Sequence, residues 1–341
     1  MENKKKKVTF SDIAKYTHFS KTTISRYFNH PETVTDENKK IIEEALQALD
    51  YHENKLAKVL ANGKTEFIGI IVPNLSMHYY AELLSQIIST YDTFGYKFLV
   101  FESQNDQAKE LQYIDELMAY NIEGLIMISH FPHSEVLSHY PIPIVTIERE
   151  SQYVSGVTTN NYSGALLATK HLMDINNDIY IHINSKLTEN NPDYYRTKGF
   201  LDQCQTNNLP YDLRLQDLGN GFEEMNAIYT SLFEDFERLY KGKRKGIFVC
   251  NDTHANILLN IIYRHYGHLP HDYNIVGFDD SSISREAIIP ITTIHQDIKG
   301  LAIGAMEIII KEIEATKQNK VVQHTYQRVE PTLMIRKTTH Q

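Results

Sequence analysis

The spacing of apolar residues changes after about residue 60 of the chain. Before that point, apolar residues recur three and four positions apart, which predicts short amphipathic helices such as Phe10 to Tyr16. Beyond it, Phe67 to Val72 forms a buried-strand run, followed by a helical pattern from Tyr80 to Tyr91 and a strand pattern from Tyr96 to Phe101. We therefore predict a small helical head followed by an α/β body.

The alternation of strands and helices continues through the body in two successive series. Further strands are predicted at 124–128, 144–147, 179–183, 246–250 and 274–277, and helices at 109–120, 134–138, 161–173, 194–206, 223–239 and 253–266. Because strands that alternate with helices form parallel sheets, we expect two parallel-sheet units in tandem, joined near Thr158 to Asn160. A ligand of such a pair normally binds in the cleft outside the carboxyl ends of the strands.

The head has the spacing of a helix-turn-helix. Thr9 and Asp12 form a capping-box start for the first helix, and Ser20 caps a second helix after the turn of residues 17–19. Thr35 caps a third helix, whose apolar residues are expected to close a three-helix core: Ile41, Ile42, Ala45, Leu46 and Leu49. This pattern alone is compatible with a DNA reader and with an unrelated helical bundle.

The second helix of the head is the candidate DNA-reading element. Phe19, Ile24 and Phe28 are expected to face the core, so the polar residues of this helix turn outward, toward a major groove. The candidate set is Lys21, Thr22, Ser25, Arg26 and Asn29.

Charge is distributed unevenly along the chain. The formal net charge is −9, yet residues 1–64 hold 12 Lys and Arg against 9 Asp and Glu, which leaves −12 for the remainder. We therefore expect the head to approach a polyanion that the body repels.

Motifs over nearly the full chain resemble the lactose repressor/galactose repressor family. They are Val-Thr-Phe-Ser-Asp-Ile-Ala-Lys-Tyr (8–16), Ser-Lys-Thr-Thr-Ile-Ser-Arg-Tyr-Phe-Asn (20–29), Ala-Leu-Asp-Tyr-His-Glu-Asn (48–54), Ile-Gly-Ile-Ile-Val-Pro-Asn (68–74), Glu-Gly-Leu-Ile (123–126), Arg-Thr-Lys-Gly-Phe (196–200), Phe-Val-Cys-Asn-Asp (248–252), Ile-Val-Gly-Phe-Asp-Asp (275–280) and Pro-Ile-Thr-Thr-Ile-His-Gln-Asp (290–297). The resemblance implies an all-α helix-turn-helix head and an α/β body of two tandem parallel-sheet subdomains of periplasmic-binding-protein type. His18 departs from the family, which usually has glycine in this turn, and His52-Glu53 stands where proline is usual.

The resemblance also implies the domain boundaries. These are 1–53 for the helix-turn-helix domain, 54–64 for a hinge helix and linker, 65–160 with 293–323 for the N-terminal subdomain, and 161–292 with 324–341 for the C-terminal subdomain.

The hinge implied by the resemblance is too short for a stable isolated helix, so we expect it to fold only where two copies meet over DNA. Lys55, Ala57 and Lys58 are its expected DNA contacts, and Leu60 is the expected wedge in a minor-groove step. The alternative is that Leu60 is a plain linker residue.

An effector site is implied in the cleft of the body. Carried over position by position, it contains Tyr79, Tyr80, Ser129, Arg149, Arg196, Phe222, Asn251 and Asp279. Arg196 and Asp279 would offer a donor fork and an acceptor to a polyhydroxyl ligand; the alternative for each is a salt bridge. If Arg149 and Arg196 both face the cleft, a sugar phosphate or acidic sugar is favoured over a neutral sugar.

The expected protein is a DNA-binding transcription regulator, and regulators of this family are usually repressors. We expect a homodimer on a near-palindromic double-stranded DNA operator, controlled by a sugar or sugar derivative. No catalytic constellation, metal-ligand spacing, cofactor fingerprint or membrane-spanning apolar stretch stands out, so no enzyme activity, metal, cofactor or membrane partner is expected. The isolated cysteines, Cys204 and Cys250, agree with the reducing cytoplasm. The alternative is a two-lobed solute-binding protein without a DNA role.

Overall fold

The computed structural model describes residues 8–52, 65–129, 131–186, 192–219 and 221–340, and the chain divides at residue 65 into two units. Three helices build the first unit, with a short 3₁₀ turn at Pro31–Thr33. They are α1 (Phe10–Thr17), α2 (Lys21–Asn29) and α3 (Asp36–Ala48).

Side-chain caps set the helix starts of the first unit, as predicted. The backbone N–H of Thr9 donates to Asp12 Oδ2 at 2.9 Å, and Ser20 Oγ accepts from the backbone N–H of Thr23 at 3.1 Å. Thr35 caps α3 in the same way as Ser20 caps α2. Each cap satisfies a backbone donor that the helix start would otherwise leave unpaired.

The core of the first unit is small. Ile13, Ile24, Ile42 and Ala45 are buried in it, and aromatic residues close its edge. The prediction that Ile41 belongs to this core is wrong, because its side chain is 39% exposed. Adjacent helical residues point about 100° apart, so only one of the two isoleucines of α3 can face the other helices.

Two six-stranded sheets form the framework of the second unit. The N-terminal sheet has the order β11-β5-β4-β3-β1-β2 and is parallel throughout, with strands β1 (Phe67–Val72), β2 (Lys97–Glu102), β3 (Gly124–Met127), β4 (Ile144–Ile147), β5 (Ser155–Thr159) and β11 (Tyr326–Val329). The C-terminal sheet has the order β12-β10-β9-β8-β6-β7, with strands β6 (Ile179–Asn184), β7 (Tyr211–Leu215), β8 (Lys245–Val249), β9 (Tyr273–Asp279), β10 (Thr292–His295) and β12 (Thr332–Met334). Only β12 pairs antiparallel in this sheet as described. This is the tandem parallel-sheet architecture that the sequence predicts.

Helices connect the strands of the second unit. They are α4 (His78–Ser89), α5 (Tyr91–Phe94), α6 (Gln107–Ala119), α7 (Ser134–Leu137), α8 (Asn161–Asp174), α9 (Pro192–Thr206), α10 (Phe222–Leu239), α11 (Asp252–Tyr266), α12 (Ser282–Glu286) and α13 (Ile298–Lys317). Within the described ranges, none of the helices combines the length and apolarity needed to cross a bilayer.

After residue 290, the chain passes between the two sheets at positions that differ from the expected subdomain boundaries, 293 and 324. Thr292–His295 lies in the C-terminal sheet beside β9, and Tyr326–Val329 lies in the N-terminal sheet beside β5. Both strands are short and carry polar residues, so their sequence does not indicate which sheet they join. The N-terminal subdomain therefore takes up β11, and the C-terminal subdomain keeps all of β10.

The turn between α1 and α2 holds His18 in the left-handed conformation, with φ 59° and ψ 18°. This conformation costs a residue with a Cβ about 1–2 kcal/mol, whereas glycine adopts it freely. We predict that His18→Gly raises the free energy of local unfolding of the first unit by about 0.5–1 kcal/mol, since the greater freedom of glycine in the unfolded chain offsets part of the gain. Amide hydrogen exchange of α1 and α2 in the full chain measures this change.

The control for His18 is Lys15→Gly, an exposed position within α1. Here glycine replaces a residue inside a helix, so the free energy of local unfolding should fall by about 0.5–1 kcal/mol. Equal losses of protection in both variants would contradict the proposed strain at His18.

Candidate functional site

Strand ends from both sheets meet at a buried group of polar residues. In the N-terminal sheet, Glu148 directly follows β4 and Thr159 ends β5; in the C-terminal sheet, Asp279 ends β9 and Gln296 directly follows β10. We call these four residues, together with Asn161 and Arg196 from the helix starts beside them, the polar cluster. It lies at the carboxyl ends of the strands, where ligands of parallel α/β sheets bind.

Arg196 of α9 is held by four groups from outside its own helix. Its Nε donates to Asn161 Oδ1 at 2.8 Å, and its Nη1 donates to the main-chain carbonyl of Cys250 at 2.6 Å. The guanidinium carbon lies 3.7 Å from the ring centroid of Phe278, and Nη1 is 3.9 Å from Asp279 Oδ1. The side chain is therefore fixed by hydrogen bonds, an aromatic face and a carboxylate.

The charges around Arg196 are predominantly negative. Its Nη1 is 3.5 Å from Asp193 Oδ1. Burial disfavours the guanidinium charge, but the carboxylates of Asp193, Asp279 and Glu148 outweigh this effect and raise the pKa of Arg196. Burial raises the pKa of Glu148 and of Asp279 in turn. One cation thus faces three carboxyl groups.

Two amide side chains link the carboxylates of the cluster. Asn161 Nδ2 donates to Glu148 Oε2 at 2.9 Å, while the Oδ1 of the same residue accepts from Arg196. Gln296 Nε2 donates to Asp279 Oδ1 at 2.7 Å, and its Oε1 accepts from Thr159 Oγ1 at 2.6 Å. These bonds form a continuous path between the ends of the two sheets.

Tyr79 and Tyr80, at the start of α4, lie against the cluster. Their rings are 5.4 Å apart in an edge-to-face arrangement. Burial, reinforced by the carboxylates of Glu148 and Asp279, raises the pKa of Tyr79 well above its ordinary value, so its hydroxyl is protonated. That hydroxyl is buried and has no hydrogen-bond partner among the residues that the structure describes. An unpaired buried hydroxyl costs about 1–3 kcal/mol, which a ligand with an acceptor would recover.

The structure brings together four of the eight expected effector residues: Tyr79, Tyr80, Arg196 and Asp279. It adds Glu148, Thr159, Asn161 and Gln296, which the sequence reasoning missed. Gln296 lies in the segment 290–297 that resembles the family. This was the one sequence feature that could have pointed to any of the four.

Arg149 is directed away from Arg196. Its two Nη atoms donate to main-chain carbonyls after β3, one of them that of Ser129, at 2.6 Å each. Ser129 Oγ donates to Glu110 Oε2 at 2.8 Å, and burial lowers the pKa of Arg149 to about 10 although Glu110 opposes this. The condition under which a sugar phosphate is favoured, that Arg149 and Arg196 share one pocket, is therefore not met. Neighbouring residues after a strand point apart, and Glu148 occupies the inward position.

The other two expected residues lie at helix starts. Asn251 follows Cys250 directly, and its Oδ1 caps α11 by accepting from the backbone N–H of His254 at 3.0 Å. Phe222 begins α10 and is 65% exposed. Its ring is available to a ligand but is not held by the polar cluster.

In the head, α2 presents the expected polar face. Lys21, Thr22 and Arg26 are exposed, whereas Ser25 and Asn29 are half-buried and hydrogen-bonded to each other at 3.2 Å. The four expected hinge contacts lie outside the described residues: Lys55, Ala57, Lys58 and Leu60.

A further buried carboxylate, Asp252, lies near Asp279 at the start of α11. Its Oδ1 accepts from Thr293 Oγ1 at 2.6 Å, and its Oδ2 accepts from the backbone N–H of Ser281 at 2.9 Å. A side chain on Gly277 would collide with this carboxylate, so glycine is required there. Burial raises the pKa of Asp252 to about 7 against the hydrogen bond from Thr293, which lowers it.

Three stretches of the chain match protein-family models. Residues 9–54 match "Bacterial regulatory proteins, lacI family", residues 65–235 match "Periplasmic binding proteins and sugar binding domain of LacI family", and residues 177–339 match "Periplasmic binding protein-like domain". The matches follow the division into a helical head and a two-sheet body.

Whole-chain relatives agree with these matches. The sucrose operon repressor of Streptococcus mutans serotype c is 27% identical over 308 residues, 89% of this chain and 92% of that protein. The lac repressor dimer bound to operator and an anti-inducer has a TM-score of 0.82 at 21% identity, covering 98% of this chain and 99% of that one. A periplasmic binding protein/LacI transcriptional regulator from Alkaliphilus metalliredigens QYMF, complexed with D-xylulofuranose, has a TM-score of 0.70 at 25% identity, covering 81% and 100%. The predicted fold class is confirmed.

The raised pKa of Asp252 predicts a pH-dependent stability. In the unfolded chain this carboxyl titrates near 3.8 and in the folded protein near 7, so between these values the folded protein binds more protons and loses stability as pH rises. In Asp252→Asn, the amide oxygen can still accept from the backbone N–H of Ser281 and the amide N–H can donate to the hydroxyl of Thr293. The amide does not titrate in this range. Between about pH 6 and about pH 8, the free energy of unfolding of the parent should fall by about 1 kcal/mol relative to that of the variant.

Urea unfolding of the second unit in the full chain, followed by circular dichroism, measures this difference. The remaining carboxylates are present in both proteins, so the difference between the two stability curves reports on Asp252 and on its electrostatic interaction with Asp279. Stability curves that run parallel across the pH range would show that Asp252 is ionised in the folded protein.

Proposed function

The chain belongs to the LacI family of bacterial regulatory proteins, and from this premise we propose how it works as a DNA-binding transcription regulator. Two copies bind double-stranded operator DNA through their heads and repress transcription, and a small molecule bound in the body controls that binding. The alternative of a solute-binding protein without a DNA role is not favoured, because residues 9–54 match the regulatory family. Regulation is also favoured over catalysis, since the sucrose operon relative is a repressor.

The effector is proposed to bind at the polar cluster, on the side of Tyr79. The observation that carries this assignment is the buried hydroxyl of Tyr79, which has no hydrogen-bond partner in the described part of the chain and lies beside Glu148, Asp279 and Arg196. Buried polar groups are normally hydrogen-bonded, so an unpaired one at the carboxyl ends of the strands marks a place for a ligand atom.

The donors and acceptors of the cluster fit a polyhydroxyl ligand. The phenol of Tyr79 needs an acceptor, whereas the carboxyl groups of Glu148 and Asp279 offer acceptors, and a sugar hydroxyl supplies both functions. An anionic group would meet several carboxylates and a single cation, because Arg149 is engaged by main-chain carbonyls. We therefore propose a neutral sugar, in place of the sugar phosphate that the sequence favoured.

For the DNA contacts, we propose Lys21, Thr22 and Arg26 on the exposed face of α2, with Ser25 and Asn29 beside them. An exposed arginine on this helix can reach a guanine edge with two hydrogen bonds. The hinge residues Lys55, Ala57, Lys58 and Leu60 remain part of the proposal as phosphate contacts and a minor-groove wedge.

The effector assignment predicts a specific result for Tyr79→Phe. In a thermal-shift screen of the full chain, neutral sugars should stabilise the parent, and sugar phosphates and nucleobases should not. Removing the hydroxyl should weaken binding of the best sugar about 5–30-fold by calorimetry, yet leave the free protein at least as stable, because an unpaired buried group is lost.

Tyr229→Phe is the matched control, since the Tyr229 hydroxyl is also buried without a described partner but lies in the apolar core of the C-terminal sheet. Its loss should leave sugar affinity unchanged. Equal affinity in the Tyr79 variant and the parent, or preferential binding of a phosphorylated sugar, would overturn the assignment.

The DNA assignment predicts that Arg26→Ala loses sequence discrimination. The parent first selects operators from a random double-stranded library, and anisotropy titrations then compare selected and mutated sites. The variant should lose about 1–3 kcal/mol of discrimination at one base pair. Lys40→Ala removes one positive charge from α3 and should preserve the preference for the selected operator sites. If Arg26→Ala also preserves this preference, Arg26 does not contact a base that sets specificity.

A further inference from the structure

The last segment of the chain is tied through Arg336 to Asp280, the residue next to the polar cluster. This arginine follows β12, and its side chain is 15% exposed. Its Nη2 donates to Asp280 Oδ1, and its Nη1 donates to the main-chain carbonyl of Ile291 at 2.9 Å and to Ser284 Oγ at 3.2 Å. One side chain thus ties the end of the chain to α12, to the start of β10 and to the residue after Asp279.

The carboxylate of Asp280 has two further nitrogen partners, from Arg285 and His295, but both side chains are more exposed than that of Arg336. Arg285 Nη1 lies 3.4 Å from Asp280 Oδ1 with its side chain 52% exposed, and His295 Nδ1 lies 3.0 Å from Oδ2 with 42% exposed. Solvent screens exposed ion pairs, so their contributions are small. Arg336, the least exposed of the three, is therefore the principal anchor of the Asp280 carboxylate.

The backbone at this anchor is unusual. Asp279 has φ 111° and Asp280 has φ 56°, so two successive residues with side chains adopt positive φ. Such conformations are unfavourable and persist only where surrounding contacts enforce them. Gln296 holds the first carboxylate from one side, and Arg336 holds the second from the other. The two carboxylates point apart, and fixing one constrains the direction of its neighbour.

We propose that Arg336 is a positioning residue of the effector site. It touches no effector; by holding Asp280 it keeps the adjacent Asp279 in the conformation that faces Arg196 and Gln296. The proposal rests on the proposed function of the polar cluster. If Arg336 acts in this way, effector affinity depends on how the last segment of the chain packs against the C-terminal sheet.

The test compares Arg336→Met and Arg336→Lys with Lys245→Met in the full chain. Lys245 is a matched control: its side chain is 1% exposed and pairs with Asp272 at 2.8 Å, at the start of β8, the opposite end of the strand from the cluster. Met removes the charge in both cases. Lys at position 336 retains a charge for Asp280 but loses the fork that also reaches Ile291.

Ligand-free crystal structures give the first readout. In Arg336→Met, residues 279–280 should leave positive φ, and the hydrogen bond from Gln296 to Asp279 should break. In Arg336→Lys and Lys245→Met both features should remain. An Arg336→Met structure with an unchanged 279–280 backbone would overturn the proposal.

Calorimetric titration with sucrose, D-ribose, D-xylulose and cellobiose gives the second readout. For the sugar that the parent binds best, Arg336→Met should weaken binding about tenfold or more, as loss of an outer-shell partner does at metal sites, with Arg336→Lys between Met and the parent. Lys245→Met should stay within about twofold of the parent, as expected for a distant site. Equal weakening in both methionine variants would mean that Arg336 acts only through stability. If the parent binds none of these sugars, the proposed effector class fails, and the crystal structures alone decide on Arg336. If Arg336→Met does not fold, Arg336→Lys replaces it in the titration, where an affinity equal to that of the parent would overturn the proposal.

Discussion

The body of the protein is organised around the buried positive charge of Arg196. A guanidinium away from water is tolerated only when hydrogen bonds and opposite charges compensate its lost hydration. For Arg196 these partners come from different parts of the chain: Asn161 at a helix start, the carbonyl of Cys250 after one strand and the carboxylate of Asp279 at the end of another. Burying this charge therefore requires the strand ends to come together. The same carboxylates would repel one another without it, so the polar cluster forms as a unit.

The unit also joins the two subdomains of the body. Gln296 carries a hydrogen-bonded path from Asp279 to the N-terminal sheet. From α4, Glu82 accepts from the backbone N–H of Ser282 at 2.6 Å, which is a second contact across the junction. A ligand that inserts beside Tyr79 must interact with both subdomains. If it binds one relative arrangement of them more tightly, it shifts the population toward that arrangement, which is the physical requirement for control of DNA binding.

Much of this architecture could be predicted from apolar periodicity, and the misses have physical causes. β1 was predicted at its observed bounds because it is buried and continuously apolar, whereas the edge strand Tyr211–Leu215 alternates with charged residues and was missed. Within the site, Arg196 belongs to a recognisable motif. Glu148 could not be chosen over Arg149 from sequence, because the direction of each depends on the positive φ of Glu148, 59°, which no residue pattern indicates.

We propose that occupancy of the polar cluster sets the affinity for DNA. The most direct test of this proposal is an anisotropy titration of the full chain onto its selected operator, with and without the neutral sugar that stabilises it most, for the parent and for Arg196→Met. We expect the sugar to change the operator affinity of the parent by about 5–150-fold, the usual range of allosteric coupling, and to leave that of the variant unchanged. A parent whose operator affinity is the same with the sugar bound, or a variant that responds as strongly as the parent, would contradict the proposal.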